Sequence, residues 1–172
     1  MILSDVDIKR YIESGDLLIE PMYKDTIREN GVDLRFSGYI GKVSHDDVFE
    51  PGETNPDDVY RVLYVDEYIV DPGEFIILST EEYIKLSDSL MGFINLRSSF
   101  ARLGLILSPT IVDAGFEGAL TVGLYSSVMP VKIRRGDRFL HVVLSRLSSN
   151  TSKPYSGRYR GIHGLSKPFP ID

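Results

Sequence analysis

The chain has no cysteine, so neither a disulfide nor a thiolate-held zinc can form. Glutamine is also absent and asparagine is scarce; loss of thermolabile types beside retained Lys, Arg and Glu fits a heat-exposed source. No apolar run approaches the roughly 20 residues that span a bilayer, so no membrane segment is expected. The first residues lack a basic region followed by an apolar core and a small-residue cleavage site, which predicts a cytoplasmic location. Histidine is limited to His45, His141 and His163, too scattered to propose a protein-held metal site. No serine has a convincing histidine partner for nucleophilic catalysis. Positive charge is in deficit as well: the formal net charge is −6, which argues against a nucleic-acid binder.

What positive charge exists is unevenly placed. Residues 44 to 74 are acidic, whereas residues 132 to 167 carry Lys132, Arg134, Arg135, Arg138, Arg146, Lys153, Arg158, Arg160 and Lys167. A small anion would be met in that carboxyl-terminal third. With 172 residues, 42% hydrophobic and 26% charged, the chain fits a single domain, 1–172.

Ser4 to Gly15 reads as a short amino-terminal helix: Ser4 caps it, Asp5 and Asp7 favour its positive end, Gly15 closes it, and Ile8, Tyr11 and Ile12 share one face. The period then shortens to two. Strands are predicted at 17–20, 31–36, 39–43, 59–65, 68–70, 75–78, 83–86, 90–96, 119–125, 128–133 and 138–147, with residues 44–58 an exposed loop. Short strands separated by Gly, Pro and Ser predict a mainly β fold, a sandwich or barrel. Residues 148–172, rich in Ser, Pro and Gly, are expected to form a mobile tail.

The chemistry concentrates between Leu96 and Leu124. Arg97-Ser98-Ser99 is expected to open a helical turn whose hydroxyls can cap it and whose free N–H groups can take phosphate oxygens, with Arg97 and Arg102 adding forked cations. Ser108-Pro109-Thr110 forms the tip of a connector, and Asp113 and Phe116 follow in Val-Asp-Ala-Gly-Phe-Glu-Gly.

Arg-Ser-Ser-Phe-Ala-Arg-Leu-Gly-Leu followed by Val-Asp-Ala-Gly-Phe-Glu-Gly resembles the signature of the dUTPase and dCTP deaminase superfamily. The opening Met-Ile-Leu-Ser-Asp-Val-Asp-Ile and Gly31-Val-Asp-Leu-Arg35 resemble its deaminase branch, and Gly136-Asp-Arg-Phe-Leu-His-Val-Val143 its dUTPase branch. The resemblance implies a distorted β-barrel or jelly-roll, a homotrimer with active sites between subunits, and Mg²⁺ carried on a triphosphate. It implies that Arg97, Ser98, Ser99, Arg102 and Arg158 grip phosphates, and that Phe116 lies beneath the deoxyribose. Tyr155, Arg158 and Tyr159 would close over the triphosphate, and Asp113 would activate a water. His141 stands where dUTPases have a glutamine that helps hold this water; an imidazole can also hydrogen-bond a water.

Deaminases of this superfamily carry a proton-shuttling glutamate ten residues beyond the aspartate; here 113 + 10 is Gly123. A missing acid–base group costs roughly 10²–10⁴ in rate. The expected function is therefore hydrolysis of dUTP to dUMP and pyrophosphate, with Asp113 and His141 catalytic. The alternatives are a dCTP deaminase, alone or coupled to hydrolysis, with Glu117 the nearest replacement carboxylate, and a non-catalytic nucleotide sensor.

Overall fold

A computed structural model describes residues 1–44, 48–50, 53–126 and 128–167. The helix α1 (Asp5–Glu13) begins at a reciprocal capping box in which Ser4 Oγ accepts the Asp7 N–H and the Asp7 carboxylate accepts the Ser4 N–H. Ile8 is fully buried, and Tyr11 and Ile12 pack against the core beside it.

The strands follow as β1 (Leu17–Glu20), β2 (Ile27–Arg28) and β3 (Gly31–Val43). After a short helix α2 (Pro56–Val59) come β4 (Tyr60–Tyr64), β5 (Glu67–Val70), β6 (Phe75–Leu86) and β7 (Leu90–Leu96). The single turn α3 (Ser98–Ala101) leads to β8 (Leu105–Leu107), β9 (Ile111–Val112), β10 (Glu117–Ser126), β11 (Val131–Arg134) and β12 (Arg138–Arg146).

Among the described residues ten strands form one curled sheet whose main path is β8-β10-β6-β3-β12-β7-β9; β5 and β11 pair separately. This is the distorted, mainly β barrel-like fold that the sequence predicts. Two pairs of predicted strands are each one long strand. Residues 31–36 and 39–43 join in β3, which pairs with β12 at one end and β4 and β6 at the other. Residues 75–78 and 83–86 join in β6, which serves β3, β10 and β1. The bend in β3 falls at a register shift between Phe36 and Ile40, where Gly38 takes φ +98°. The predicted loop 44–58 includes the start of α2, while residues 45–47 and 51–52 lie outside the described part.

The curl closes on a core containing fully buried Leu34, Phe36, Ile40, Leu78, Leu124, Ile133, Phe139 and Leu140. Residues 148–167 hold no helix or strand. They nevertheless return to the sheet: the Tyr155 N–H donates to Ala114 O at 2.8 Å, Gly161 N–H to Glu117 O at 2.7 Å and Ser166 N–H to Thr121 Oγ1 at 2.8 Å.

Candidate active site

The turn after β9 places Asp113 at the mouth of a cavity of about 480 Å³, within the range of small-molecule sites. Its wall takes Ile111 and Val112 from β9, Ala119, Leu120 and Thr121 from β10, Ile77 from β6, Thr110 from the connector, and Phe116. Tyr155, Tyr159 and Ser166 of the returning tail complete it. Among the described residues Asp113 is the one carboxylate that lines it. Its side chain is exposed and, among the described residues, makes no hydrogen bond or ion pair, so its acceptors remain available. The turn is held by Phe116 N–H donating to Asp113 O at 3.1 Å and Gly115 N–H to Ser87 O at 3.2 Å.

Gly115, at φ +83°, also admits the tail: a Cβ there would sit 2.6 Å from Pro154 Cβ. The Phe116 ring is buried and meets Tyr155 at a centroid distance of 5.6 Å with planes tilted by 56°.

Arg97, Ser98 and His141 lie elsewhere on this chain, in a hollow of about 350 Å³ with Asp33, Arg28 and Asn95. Asp33 organises it. The sheet register sets Asp33 opposite His141, and its buried carboxylate takes His141 Nδ1 at 2.8 Å, Arg97 Nε at 3.0 Å and Arg138 Nη1 at 3.4 Å. Arg97 also donates to Arg138 O at 3.2 Å and borders a neighbouring hollow of about 330 Å³ with Asp25, Arg35 and Arg138.

A partly buried ion network joins Arg35 to Glu82 and Asp25. Arg35 Nη1 meets Glu82 Oε1 at 2.9 Å, Arg35 N–H donates to Glu82 Oε2 at 2.7 Å, and Arg35 Nη2 pairs with Asp25. Burial pushes the Glu82 carboxyl upward against the pull of Arg35.

The expected site joins Asp113, His141 and the arginine-serine run between subunits. The single chain separates them. His141 is on β12 and Asp113 follows β9, with β7 between these strands, and neither lines the other's hollow. Ser99, Arg102 and Arg158 line none of the three hollows. The serines do not cap α3: Arg97 holds the cap position, and no side chain accepts the freed N–H groups there. Asp137 and Arg138 do not pair with each other; Asp137 Oδ2 accepts the Arg134 N–H at 2.8 Å, and Arg138 Nε meets Asp25 at 3.1 Å. Asp33 is the residue that sequence reasoning misses; its signal is a carboxylate alternating with Arg35 in a strand segment whose other members, Val32, Leu34 and Phe36, are apolar. Thr121 and Ser166 carried no signal, because strand β10 and the tail meet only in three dimensions.

Gly123 lies on β10 on the same face as Thr121, opposite Ile77. Glu117, the nearest carboxylate in sequence, turns instead to Lys85 at 3.5 Å and Arg160 at 3.4 Å. Among the described residues no three His, Asp or Glu side chains converge as a metal site, and no helix is long and apolar enough to cross a membrane.

A family model described as dCTP deaminase-like matches residues 2–147. A protein of Acidianus ambivalens named dCTP deaminase is 50% identical over 169 residues, covering 98% of this chain and 97% of the relative. A protein of Sulfolobus islandicus rod-shaped virus 1, named probable deoxyuridine 5'-triphosphate nucleotidohydrolase, is 48% identical over 166 residues, covering 96% and 97%. Among solved structures, the 2'-deoxycytidine 5'-triphosphate deaminase of Agrobacterium tumefaciens matches with a TM-score of 0.68 at 21% identity. That match covers 86% of this chain and 48% of the other, so this chain spans about half its length and the likeness is one of fold.

Proposed function

The chain belongs to the dCTP deaminase-like family, within the dUTPase and dCTP deaminase superfamily, and from that premise we propose that it hydrolyses dUTP to dUMP and pyrophosphate. The observation that carries this reading is Gly123. Deamination at the pyrimidine ring needs a group that moves protons there, and the position where the superfamily resemblance puts that glutamate has no side chain. Among the described residues Asp113 is the one carboxylate lining the cavity, and one base is what attack by water on phosphorus requires.

In the proposed reaction a water held by Asp113 attacks the α-phosphorus in line. The new oxygen–phosphorus bond forms as the bond to the bridging oxygen breaks, pyrophosphate leaves, and the water's proton passes to Asp113. Phe116 packs under the deoxyribose, where a 2'-hydroxyl would collide, and Tyr155 and Tyr159 cover the cavity. Mg²⁺ would enter on the phosphates and supply charge neutralisation there, since among the described residues no three His, Asp or Glu side chains converge to hold it.

The phosphate grip is proposed to come from a second copy. Arg97 and Ser98 sit apart from Asp113 on one chain, so a homotrimer that sets the hollow of one copy against the cavity of the next would complete the site. The cross-strand pairs Phe93–Ile111 (44% and 49% exposed) and Ile106–Tyr125 (54% and 40% exposed) offer apolar surface for that contact. In this arrangement His141, fixed by Asp33, would aid the neighbouring site together with Arg97.

The names of the relatives favour a second reading, deamination of dCTP to dUTP and ammonia, alone or followed by hydrolysis. Glu117 is poorly placed to supply the missing proton shuttle because Lys85 and Arg160 engage both its oxygens. Product analysis decides between the two. The purified protein is incubated with Mg²⁺ and dUTP or dCTP, and nucleotides, pyrophosphate and ammonia are quantified. Pyrophosphate and dUMP from dUTP, with no ammonia from dCTP, are expected; ammonia from dCTP overturns the choice.

A further inference from the structure

Gly123 has the extended backbone of its strand, so its dihedral angles do not demand glycine. Space does. A Cβ at this position would lie 2.7 Å from Phe75 Cζ, 2.8 Å from Phe75 Cε2 and 2.7 Å from Ser108 Oγ. These neighbours arrive from two different elements. Phe75 begins β6 and is paired with Tyr125, so its half-buried ring reaches diagonally across Gly123. Ser108 begins the connector between β8 and β9, and its N–H donates to Gly123 O at 2.9 Å.

The same connector ends at Thr110, which lines the Asp113 cavity. So do Thr121, on Gly123's own face, and Ile77, its cross-strand partner. With the Ser108 N–H committed to Gly123 and Pro109 lacking one, Thr110 carries the connector's remaining backbone donor. The position of that donor relative to the cavity therefore depends on how closely Ser108 approaches β10.

We propose that Gly123 is the seat of this connector. The missing side chain lets Phe75 and Ser108 close onto β10 and fixes the backbone at 108–110 against the cavity wall, making Phe75 and Ser108 specificity-determining positions. The assignment of a uracil deoxynucleotide as the ligand rests on the hydrolysis reading above. A fixed set of hydrogen-bonding groups discriminates strongly between bases, and displacing it weakens binding more than chemistry. A carboxylate restored at position 123 alone then meets Phe75 and Ser108 rather than the substrate.

The test compares the native protein with Gly123→Ala, Gly123→Ala/Ser108→Gly, Gly123→Ala/Phe75→Leu and Gly123→Glu. Melting temperatures are measured without ligand, binding of α,β-imido-dUTP by calorimetry, and turnover on dUTP and dCTP. Gly123→Ala is expected to raise Kd and KM about tenfold, an ordinary overpacking effect, with kcat within about threefold. Trimming Ser108 or Phe75 in the same chain should recover most of the loss in both melting temperature and binding. Gly123→Glu should release no ammonia from dCTP. The seat is refuted by a Gly123→Ala protein that melts and binds like the native one, by a loss neither trimming relieves, or by ammonia from Gly123→Glu. Should Gly123→Ala fail to fold, recovery of folding in either double variant supports the seat and its absence overturns it. Ammonia from the native protein would instead sink the hydrolysis reading, and the ligand-free melting comparison would still judge the packing.

Discussion

Replacing Asp33 by asparagine keeps the outline of the side chain and removes its charge. The native carboxylate is 2% exposed and is met by His141 at 2.8 Å, Arg97 at 3.0 Å, Arg138 at 3.4 Å and Arg28 at 3.9 Å. An asparagine amide would also aim donors at cations that are themselves donors. Removing one partner of a buried pair costs about 3–5 kcal/mol. Arg97 and Arg138 are 28% and 26% exposed, so water takes up part of their charge and the lower end, about 3 kcal/mol, is expected. For a chain of this size that lowers the melting temperature by about 6–12 °C. Calorimetric or circular-dichroism melting at neutral pH reads the shift directly. Because Arg97, Arg138 and His141 lose a shared anchor, turnover should fall in the same variant even at temperatures where it is folded. A variant melting within about 2 °C of the native protein would refute the view that this carboxylate organises the arginine hollow.

Asp113→Asn should lower pyrophosphate release from dUTP by about 10²–10⁴ while α,β-imido-dUTP still binds within a few-fold of native; a variant retaining a tenth of the native rate would remove Asp113 from the chemistry, and a native protein that binds without turnover would identify a sensor. The stability of the fold should decline in acid through Glu74. Burial raises its pKa, but the Tyr68 hydroxyl at 2.6 Å and the Lys42 ammonium at 2.9 Å outweigh that and hold the carboxyl below its ordinary value of 4.5. A depressed folded pKa contributes stability that is complete above the unfolded value and lost as pH falls through the folded one. Tyr68→Phe should therefore melt lower than native at pH 6, with the gap narrowing below pH 4.5; a gap that stays constant with pH would show that the hydroxyl acts on packing alone.

Local rules made much of this protein legible in its sequence. The Ser4 cap, the apolar face of Ile8, Tyr11 and Ile12, and the period-two runs identify their elements because each depends on residues within a few positions of one another. The aspartate turn and the missing side chain at 123 were also readable, since both are properties of single residues in a fixed spacing. Where prediction divided β3 and β6, the chain runs on, because strands that serve several partners are sustained by their neighbours rather than by their own pattern. Only the tertiary structure decided that Arg97 and His141 share a carboxylate on β3, that Asp113 opens into a different cavity, and that Phe75 and Ser108 occupy the space above Gly123. Those relations join residues far apart in sequence through sheet register and van der Waals contact, and neither quantity is encoded by the spacing of residues along one strand.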